Sequence, residues 1–214
     1  AIHGGIGIIV QEMGTIPNIT VAENMFLGDY DQFRAGPFIN KAKMTAKANE
    51  ALRSLGIDDI EAGRITGSYN MEQRKLIEIA KTMAHEPEMF VVDETTTALS
   101  EKGREILYRL MRKAADDNKA VVFISHDLDE IMEQCDTLTV LRDGDIIGSL
   151  EKEEYEPNRI KQMMIGRDVQ GDYYRSDMDG YGEEVVLKAE NLTTMTDLMC
   201  FDIELHRGEI LGIG

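Results

Sequence analysis

Two adjacent acids, Asp93 and Glu94, end an apolar run that begins at Met89. If this run is a strand, successive side chains alternate, so the two carboxylates point in different directions. Asp93 could hold a hydrated Mg²⁺, which prefers one or two carboxylates together with phosphate oxygens and water. Glu94 could orient or deprotonate a water molecule. A plainer interpretation stays open, in which the acids only end the strand and cap the next turn.

A second apolar run, AVVFI, is followed by Ser125 and His126, and a third, IGIIV, is followed by Gln11. Open α/β folds bind ligands at the carboxyl edge of the sheet, so we expect these residues to lie beside the acidic pair. The sequence SHD is not a catalytic triad, because adjacent residues on a strand cannot converge on one reacting atom. His126 could instead stabilise a transferring phosphate. The alternative is a strand-end histidine with only structural hydrogen bonds.

The spacing of apolar residues predicts the elements that position these side chains. Strand-like runs alternate with segments of helical period, and strand–helix–strand with fully apolar strands predicts a parallel sheet covered on both faces. A hairpin with Asp143 and Gly144 in its turn follows, and residues 11–33 are predicted to be rich in loops. The predicted strands are 6–10, 89–94 and 120–126, the helices are about 41–55, 71–84, 101–116 and 156–169, and the hairpin is 137–150.

The composition limits the classes of function. The 40 acids and 23 bases give a net charge of −17, which repels phosphate backbones and disfavours nucleic acid as the main partner. No apolar run approaches the roughly 20 residues of a membrane span, and the N-terminal segment lacks the basic region of a signal peptide. Cys135 and Cys200 are too few for a disulfide framework and lack metal-ligand spacing. We therefore expect two thiols in a reducing compartment.

Taken in order, the segments GIGIIVQEM, TVAENMFLG, EQRKLIEIAKTMA, FVVDETTTALS and VVFISHDLDE resemble an ATP-binding-cassette (ABC) ATPase. Within that family the sequence is most similar to the double-cassette subunits of bacterial simple-sugar importers of the ribose, galactose and xylose type. The similarity runs from about Gly5 to Asp168. It implies an α/β fold of the P-loop NTPase kind, in which a parallel sheet has flanking helices, a helical subdomain and a small antiparallel β portion.

The resemblance also implies roles for the polar residues at the strand ends. Gln11 matches the glutamine that reaches Mg²⁺ and the attacking water, and Asp93 matches the metal-binding aspartate. Glu94 matches the catalytic glutamate, and His126 matches the histidine that contacts the γ-phosphate. ATP and Mg²⁺ are therefore the expected cofactors of the complete protein.

The family's signature loop, Leu-Ser-Gly-Gly-Gln, falls on YNMEQ at residues 69–73. There Asn70, Glu72 and Gln73 would contact ATP held by the opposite cassette. Glu72 suits the first turn of a helix, where an acid contributes ~0.3–1 kcal/mol, but it has the same charge sign as a triphosphate. Arg74 and Lys75 either offset that charge or are ordinary surface cations. We interpret the signature as degenerate and its ATP site as weak or non-hydrolytic.

Other positions also depart from the family pattern. Thr95 stands where a proline usually follows the glutamate, and Ser100 stands where an aspartate is usual. The motif G-x-x-x-x-G-K-S/T does not occur in the 214 residues, so the sequence provides neither the amide nest nor the lysine that bind the β- and γ-phosphates. We therefore expect the chain to be a piece of a longer polypeptide and to be inactive alone.

The expected organisation has three parts. Residues 1–167 form a partial first cassette whose helical subdomain spans about 14–88, and residues 168–184 form a linker. Residues 185–214 resemble the opening strands of a second cassette. Because a sheet lacking its first strands exposes an unpaired edge, we expect these strands to complete it, within one chain or exchanged between two copies in a homodimer.

The leading functional hypothesis is ATP hydrolysis coupled to carbohydrate import. Such a subunit would be peripheral on the cytoplasmic face of the bacterial inner membrane, bound to permease subunits and, through them, to a sugar-binding protein. The alternative is a nucleotide-binding and docking module without turnover, which Glu72 favours and which Glu94 and His126 oppose. A cassette acting on nucleic acid or ribosomes fits the net charge poorly. The sequence does not identify the sugar.

Overall fold

The computed structural model describes residues 5–166, 180–193 and 200–212. The chain divides into two compact units, Ala1–Ile165 and Gly166–Gly214. Most of the predicted linker, and the last three residues of the helix predicted at 156–169, lie outside the described residues.

The first unit alternates strands and helices. In chain order its elements are β1 (Ile6–Ile9), α1 (Val21–Met25), β2 (Arg34–Ala35), β3 (Phe38–Ile39), α2 (Lys41–Ser54), α3 (Met71–Met83), β4 (Met89–Asp93), α4 (Glu101–Asp116), β5 (Ala120–Ile124), α5 (Leu128–Gln134), β6 (Thr137–Arg142), β7 (Asp145–Glu151) and α6 (Pro157–Ile165).

Strands β1, β4 and β5 form a parallel sheet in which β4 is central. Ile9 pairs with Val92, and Asp93 pairs with Ile124, so the three strands end at nearly the same level. Two-stranded antiparallel sheets accompany it, β2 with β3 and β6 with β7. The expected α/β architecture with a parallel sheet and small antiparallel portions is confirmed.

The core of the first unit explains why these segments take these forms. Helix α3 is buried around its whole circumference at residues 75–80, where Leu76, Ile77 and Ile79 supply apolar contacts. Helix α4 buries one apolar stripe, as its helical period requires. The apolar residues of both helices belong to one cluster with the β4 residues Phe90 and Val92, which are almost fully buried. Helices therefore cover one face of the parallel sheet. On the other face Ile8, Val122 and Ile124 are 39–46% exposed, so the expectation of a sheet covered on both faces is wrong for the described residues.

Residues 11–33 are rich in loops, as predicted, but they also contain the five-residue helix α1. Thr20 caps α1 in a reciprocal capping box with Glu23, so each residue satisfies a backbone N–H of the other. Buried Asn24 donates to the carbonyl of Ile16 at 2.8 Å and to the hydroxyl of Thr66 at 2.8 Å. Helix α1 has only five residues, too few for a helical period to be visible in the sequence.

The hairpin of β6 and β7 turns at Asp143 and Gly144, as predicted. Both residues have positive φ, +54° and +90°, as a type I′ turn requires at its two central positions. Val140 and Leu150 of this hairpin pack with Ile160 of α6 in a separate small core.

The second unit contains β8 (Val185–Leu192) and β9 (Phe201–His206), which pair antiparallel. The Arg207 guanidinium makes two bonds, of 2.6 and 3.0 Å, to the Glu184 carboxylate. The expectation that these strands complete the parallel sheet stays a prediction. In the described part of the chain no helix is long and apolar enough to cross a membrane.

Candidate functional site

The carboxyl edge of the parallel sheet collects polar residues from three neighbouring strands. Gln11 lies two residues beyond β1, and Asp93 is the last residue of β4 with Glu94 directly after it. Ser125 and His126 follow β5. The strand register brings all three segments to the same edge, as the sequence predicted.

Glu94 and His126 contact each other there. Nδ1 of His126 lies 3.3 Å from Oε1 of Glu94, and the two side chains are 65% and 31% exposed, respectively. When Nδ1 carries a proton it donates to the carboxylate, which fixes the orientation of both groups. Nε2 of His126 and Oε2 of Glu94 are then left to face a ligand or water.

The backbone at Glu94 is strained. Its φ is +42°, a left-handed conformation that costs roughly 1–2 kcal/mol for a residue other than glycine. The conformation is maintained from both sides. The Glu94 N–H donates to the carbonyl of Ile124 at 3.0 Å, which extends the ladder with β5. The hydroxyl of Thr97 donates to the carbonyl of Glu94 at 3.2 Å, and that of Thr95, where the family has proline, donates to the carbonyl of Asp93 at 3.1 Å.

Sequence reasoning missed a buried carboxylate behind this edge. Oε2 of Glu130 accepts from the hydroxyls of Thr96 and Ser125, both at 2.9 Å, and Oε1 accepts from the hydroxyl of Tyr108 at 2.7 Å. Burial, and then the bond to Glu130, raise the pKa of Tyr108. Thr96 lies two residues after Glu94, and Ser125 directly precedes His126. Glu130 therefore ties together the two turns that carry the site.

The residues at the signature position lie at the start of α3. Asn70 caps this helix, because its Oδ1 accepts from the backbone N–H of Gln73 at 2.8 Å, and Oε1 of Gln73 accepts from the N–H of Asn70 at 3.2 Å. Nε2 of Gln73 also donates to Asp59 at 3.2 Å. The side-chain oxygens of Asn70 and Gln73, two of the three predicted ATP contacts, therefore stabilise the N-terminal end of the helix.

Glu72 also has a partner within the chain. Its Oε1 accepts from the backbone N–H of Ser100 at 3.0 Å and from the Ser100 hydroxyl. Ser100 is the N-cap of α4. The structure thus joins the signature position to the residue that replaces the family's aspartate, which sequence reasoning had treated as a separate departure.

Neither interpretation of Lys75 was right. Its side chain is fully buried and its ammonium binds main-chain carbonyls at residues 10–12 together with the carboxylate of Glu78. It is neither a surface cation nor a neighbour that offsets Glu72. Arg74 donates to the hydroxyl and carbonyl of Thr15, at 3.1 and 3.3 Å. These bonds could not be predicted from the sequence, because most of the acceptors belong to the main chain.

The donor set limits the metal that the site could take. Among the described residues there is no group of three or more His, Cys, Asp or Glu side chains arranged to hold a metal ion. A transition-metal site, which needs such a group, therefore does not fit the described residues. Asp93 and Gln11 at a solvent-accessible strand edge suit Mg²⁺, which takes few protein ligands and keeps water and phosphate oxygens.

Comparison with known proteins agrees with this fold. Residues 1–97 match the family described as ABC transporter. The chain is thus similar to the ABC transporter family over the first 97 of its 214 residues. Among curated relatives it is 37% identical over 209 residues to the ribose import ATP-binding protein RbsA of Chromobacterium violaceum. It is 33% identical over 215 residues to the galactose/methyl galactoside import ATP-binding protein MglA of Haemophilus influenzae.

These alignments cover 98% and 100% of this chain but only 41% and 42% of the two relatives.

Two solved structures share the fold. A dimeric ATP-binding cassette in a post-hydrolysis state, bound to ADP and Pi, superposes with a TM-score of 0.58 at 23% identity, over 70% of this chain and 64% of its own. An inward-facing ABC transporter of metal-chelate type gives 0.61 at 17% identity, over 94% and 73%.

Proposed function

We propose that the chain is part of the ATP-binding subunit of a sugar importer and carries the hydrolytic half of its nucleotide site. The observation that carries this proposal is the contact between Glu94 and His126 at the carboxyl edge of the parallel sheet. The sugar-import relatives and the ADP-bound neighbour support the same function.

In this proposal each side chain at the edge has a defined role. Asp93 and Gln11 would hold Mg²⁺, which would supply charge neutralisation to the phosphates. Glu94 orients the attacking water and accepts its proton, and the bond from His126 keeps the carboxylate aimed. A protonated His126 also presents Nε2–H to the transferring phosphate, a charge-assisted donor of the kind that stabilises such groups.

We further propose that the complete protein is peripheral on the cytoplasmic face of the bacterial inner membrane. It would bind permease subunits and, through them, a sugar-binding protein. The helical region within residues 14–88 is the docking segment in this proposal, because α1 and α2 pack together there as a compact group with α3. The proposed segment boundaries are those predicted from the sequence.

A second candidate function is a nucleotide-binding and docking module without turnover. The observation that favours it is the carboxylate of Glu72 at the signature position, bonded to Ser100. A fixed negative charge there opposes a triphosphate presented by another cassette. This candidate keeps the docking and the nucleotide binding but assigns no chemical step to Glu94.

Replacing Glu94 by glutamine in the complete protein separates the two functions. If Glu94 is the general base, ATP turnover falls by about 10²–10⁴-fold while ATP binding is retained. A matched control is Glu86→Gln at the other end of β4, since Glu86 also has a left-handed backbone, with φ of +47°. Equal, measurable turnover in wild type and Glu94→Gln would remove the catalytic role of Glu94, whereas absence of turnover in wild type with ATP binding retained would assign the docking function instead.

For the 214 residues alone we propose no measurable ATPase activity and very weak nucleotide binding. The reason is that the motif supplying the phosphate-binding amides and lysine is absent from them. Isothermal titration with ATP and Mg²⁺ tests this, and a micromolar dissociation constant would contradict it.

A further inference from the structure

The loop that carries Gln11 is fastened to α3 by one buried ammonium group. Nζ of Lys75 lies 2.8 Å from the carbonyl oxygen of Val10, 3.0 Å from that of Glu12 and 3.5 Å from that of Gln11. The same nitrogen lies 2.9 Å from Oε2 of Glu78. An ammonium has three donors, and the three short contacts match that number.

Glu78 holds the far end of the same loop. It is three residues after Lys75 on α3 and is 5% exposed. Its Oε2 accepts from the backbone N–H of Gly14 at 3.3 Å. A Cβ added to Gly14 would lie 2.7 Å from Oε1 of Glu78, so the loop approaches the carboxylate more closely than a side chain would permit. The pair thus binds main-chain groups at residues 10, 12 and 14.

Stability alone does not account for this arrangement. Removing two charges from water is costly, and well-packed apolar residues of similar volume often replace a buried ion pair without loss. An apolar pair would bury the same face of α3, but it would bond to no carbonyl or N–H group. What the ion pair adds is a fixed backbone path between β1 and Gly14.

We propose that Lys75 and Glu78 are positioning residues for Gln11. They fix the main chain on both sides of it and so hold its side chain at the carboxyl edge, level with Asp93 and Glu94. The consequence for catalysis rests on the proposed hydrolytic function, whereas the fixing of the loop does not. Glu78 and Lys75 act only through Gln11 and touch neither nucleotide nor metal.

The fixing of the loop is tested by amide hydrogen exchange on the complete protein. The informative variant is the double substitution Lys75→Met with Glu78→Leu, because it leaves no unpaired buried charge. We expect a wild-type melting temperature, about tenfold or faster exchange in residues 11–14, and unchanged exchange in β4. Lys81→Met, on the same helix, is the matched control. Unchanged exchange at 11–14 would overturn the proposal.

A conservative variant keeps the test decisive if the double variant folds poorly. Glu78→Gln retains an oxygen that can accept from Gly14 and from Lys75, so we expect exchange at residue 14 close to wild type. Lys75→Met alone removes the donor to residues 10 and 12, so we expect faster exchange there. If Lys75→Met exchanges at residues 10–12 as slowly as wild type, Lys75 does not fix the loop.

Steady-state ATPase kinetics test the positioning of Gln11. We expect the double variant to lower kcat by about 10- to 100-fold, the range typical of a displaced group, and to raise the Mg²⁺ concentration needed for half-maximal turnover. With Gln11→Ala added, we expect no further loss, because coupled residues are non-additive. Faster exchange with unchanged kcat, or additive losses, would overturn the positioning role. Absence of turnover in wild type would refute the proposed function, and hydrogen exchange alone would then decide whether the pair fixes the loop.

Discussion

The carboxylate of Glu72 receives the backbone N–H of Ser100 at 3.0 Å and also its hydroxyl. The bond connects the first turn of α3 with the N-cap of α4. In the sequence, strand β4 lies between these two helices. The sequence predicts that Glu72 suits the first turn of a helix and repels a triphosphate, but it does not predict the bond to Ser100. In the structure the same charge also lies at a helix N-terminus, where the peptide dipoles favour an acid.

We predict that Glu72→Ala lowers the free energy of unfolding by about 1 kcal/mol, because one charge-assisted hydrogen bond at a helix N-terminus is lost. Urea unfolding measures the change. Glu72→Gln keeps an acceptor for Ser100 and should lose less. Glu101→Ala removes an acid from the first turn of α4 itself and serves as the control. If it costs as much as Glu72→Ala, the bond to Ser100 is not the cause.

Glu130 gives a second prediction. Replacement by leucine leaves the hydroxyls of Thr96, Tyr108 and Ser125 without their acceptor, and unsatisfied polar groups of this kind cost about 1–3 kcal/mol. Tyr108→Phe removes only one of the bonds and should cost about 0.5–1.5 kcal/mol. Thermal unfolding of the two variants gives the comparison. Equal stability of Glu130→Leu and wild type would show that the network does not support the site.

The capping acid of α1 predicts a pH dependence. The Thr20 N–H bond, followed by the bond from Lys41, lowers the pKa of Glu23 below its usual 4.5. A lowered folded-state pKa means that Glu23 stabilises the protein above the unfolded-state pKa and that this stabilisation is lost as pH falls through the folded-state value.

Glu23→Gln should therefore flatten the acid limb of a plot of urea midpoint against pH, below about pH 5, where the wild-type carboxylate begins to lose its contribution. Its effect at neutral pH should be a loss of stability. Glu105→Gln, which changes an exposed acid on α4, controls for the removal of one charge. If the urea midpoints of Glu23→Gln and of wild type fall by the same amount as the pH is lowered, the prediction is contradicted.

The two cysteines should differ in reactivity. Burial, and then the charge of Asp136, raise the pKa of the Cys135 thiol, whereas Cys200 is exposed. The thiolate is the reactive form, so iodoacetamide at about pH 8 should alkylate Cys200 first. Peptide mass spectrometry over time measures both rates, and Cys200→Ser should leave only the slow reaction. Comparable rates at the two positions would contradict the prediction.

The parallel sheet and its polar edge could be predicted because their signals are local. Apolar runs of strand length predict β1, β4 and β5, and each run ends on the residue that the fold brings to the edge. The short helices α1 and α5 could not be predicted, since five and seven residues show no clear period. Lysine is rarely buried, and the acceptors of Lys75 are mostly carbonyls, which have no signature in a sequence. Glu130 gathers hydroxyls from three separate segments, and only the fold brings those together.

The left-handed backbone at Glu94 makes folding and chemistry favour different amino acids at one position. Glycine adopts positive φ without steric cost, so for stability alone Glu94→Gly relieves strain of roughly 1 kcal/mol. The same change removes the carboxylate that contacts His126. A screen that selects only for thermal stability would therefore tend to select glycine at residue 94. The more stable variants from such a screen would lack the carboxylate that is proposed to take part in hydrolysis.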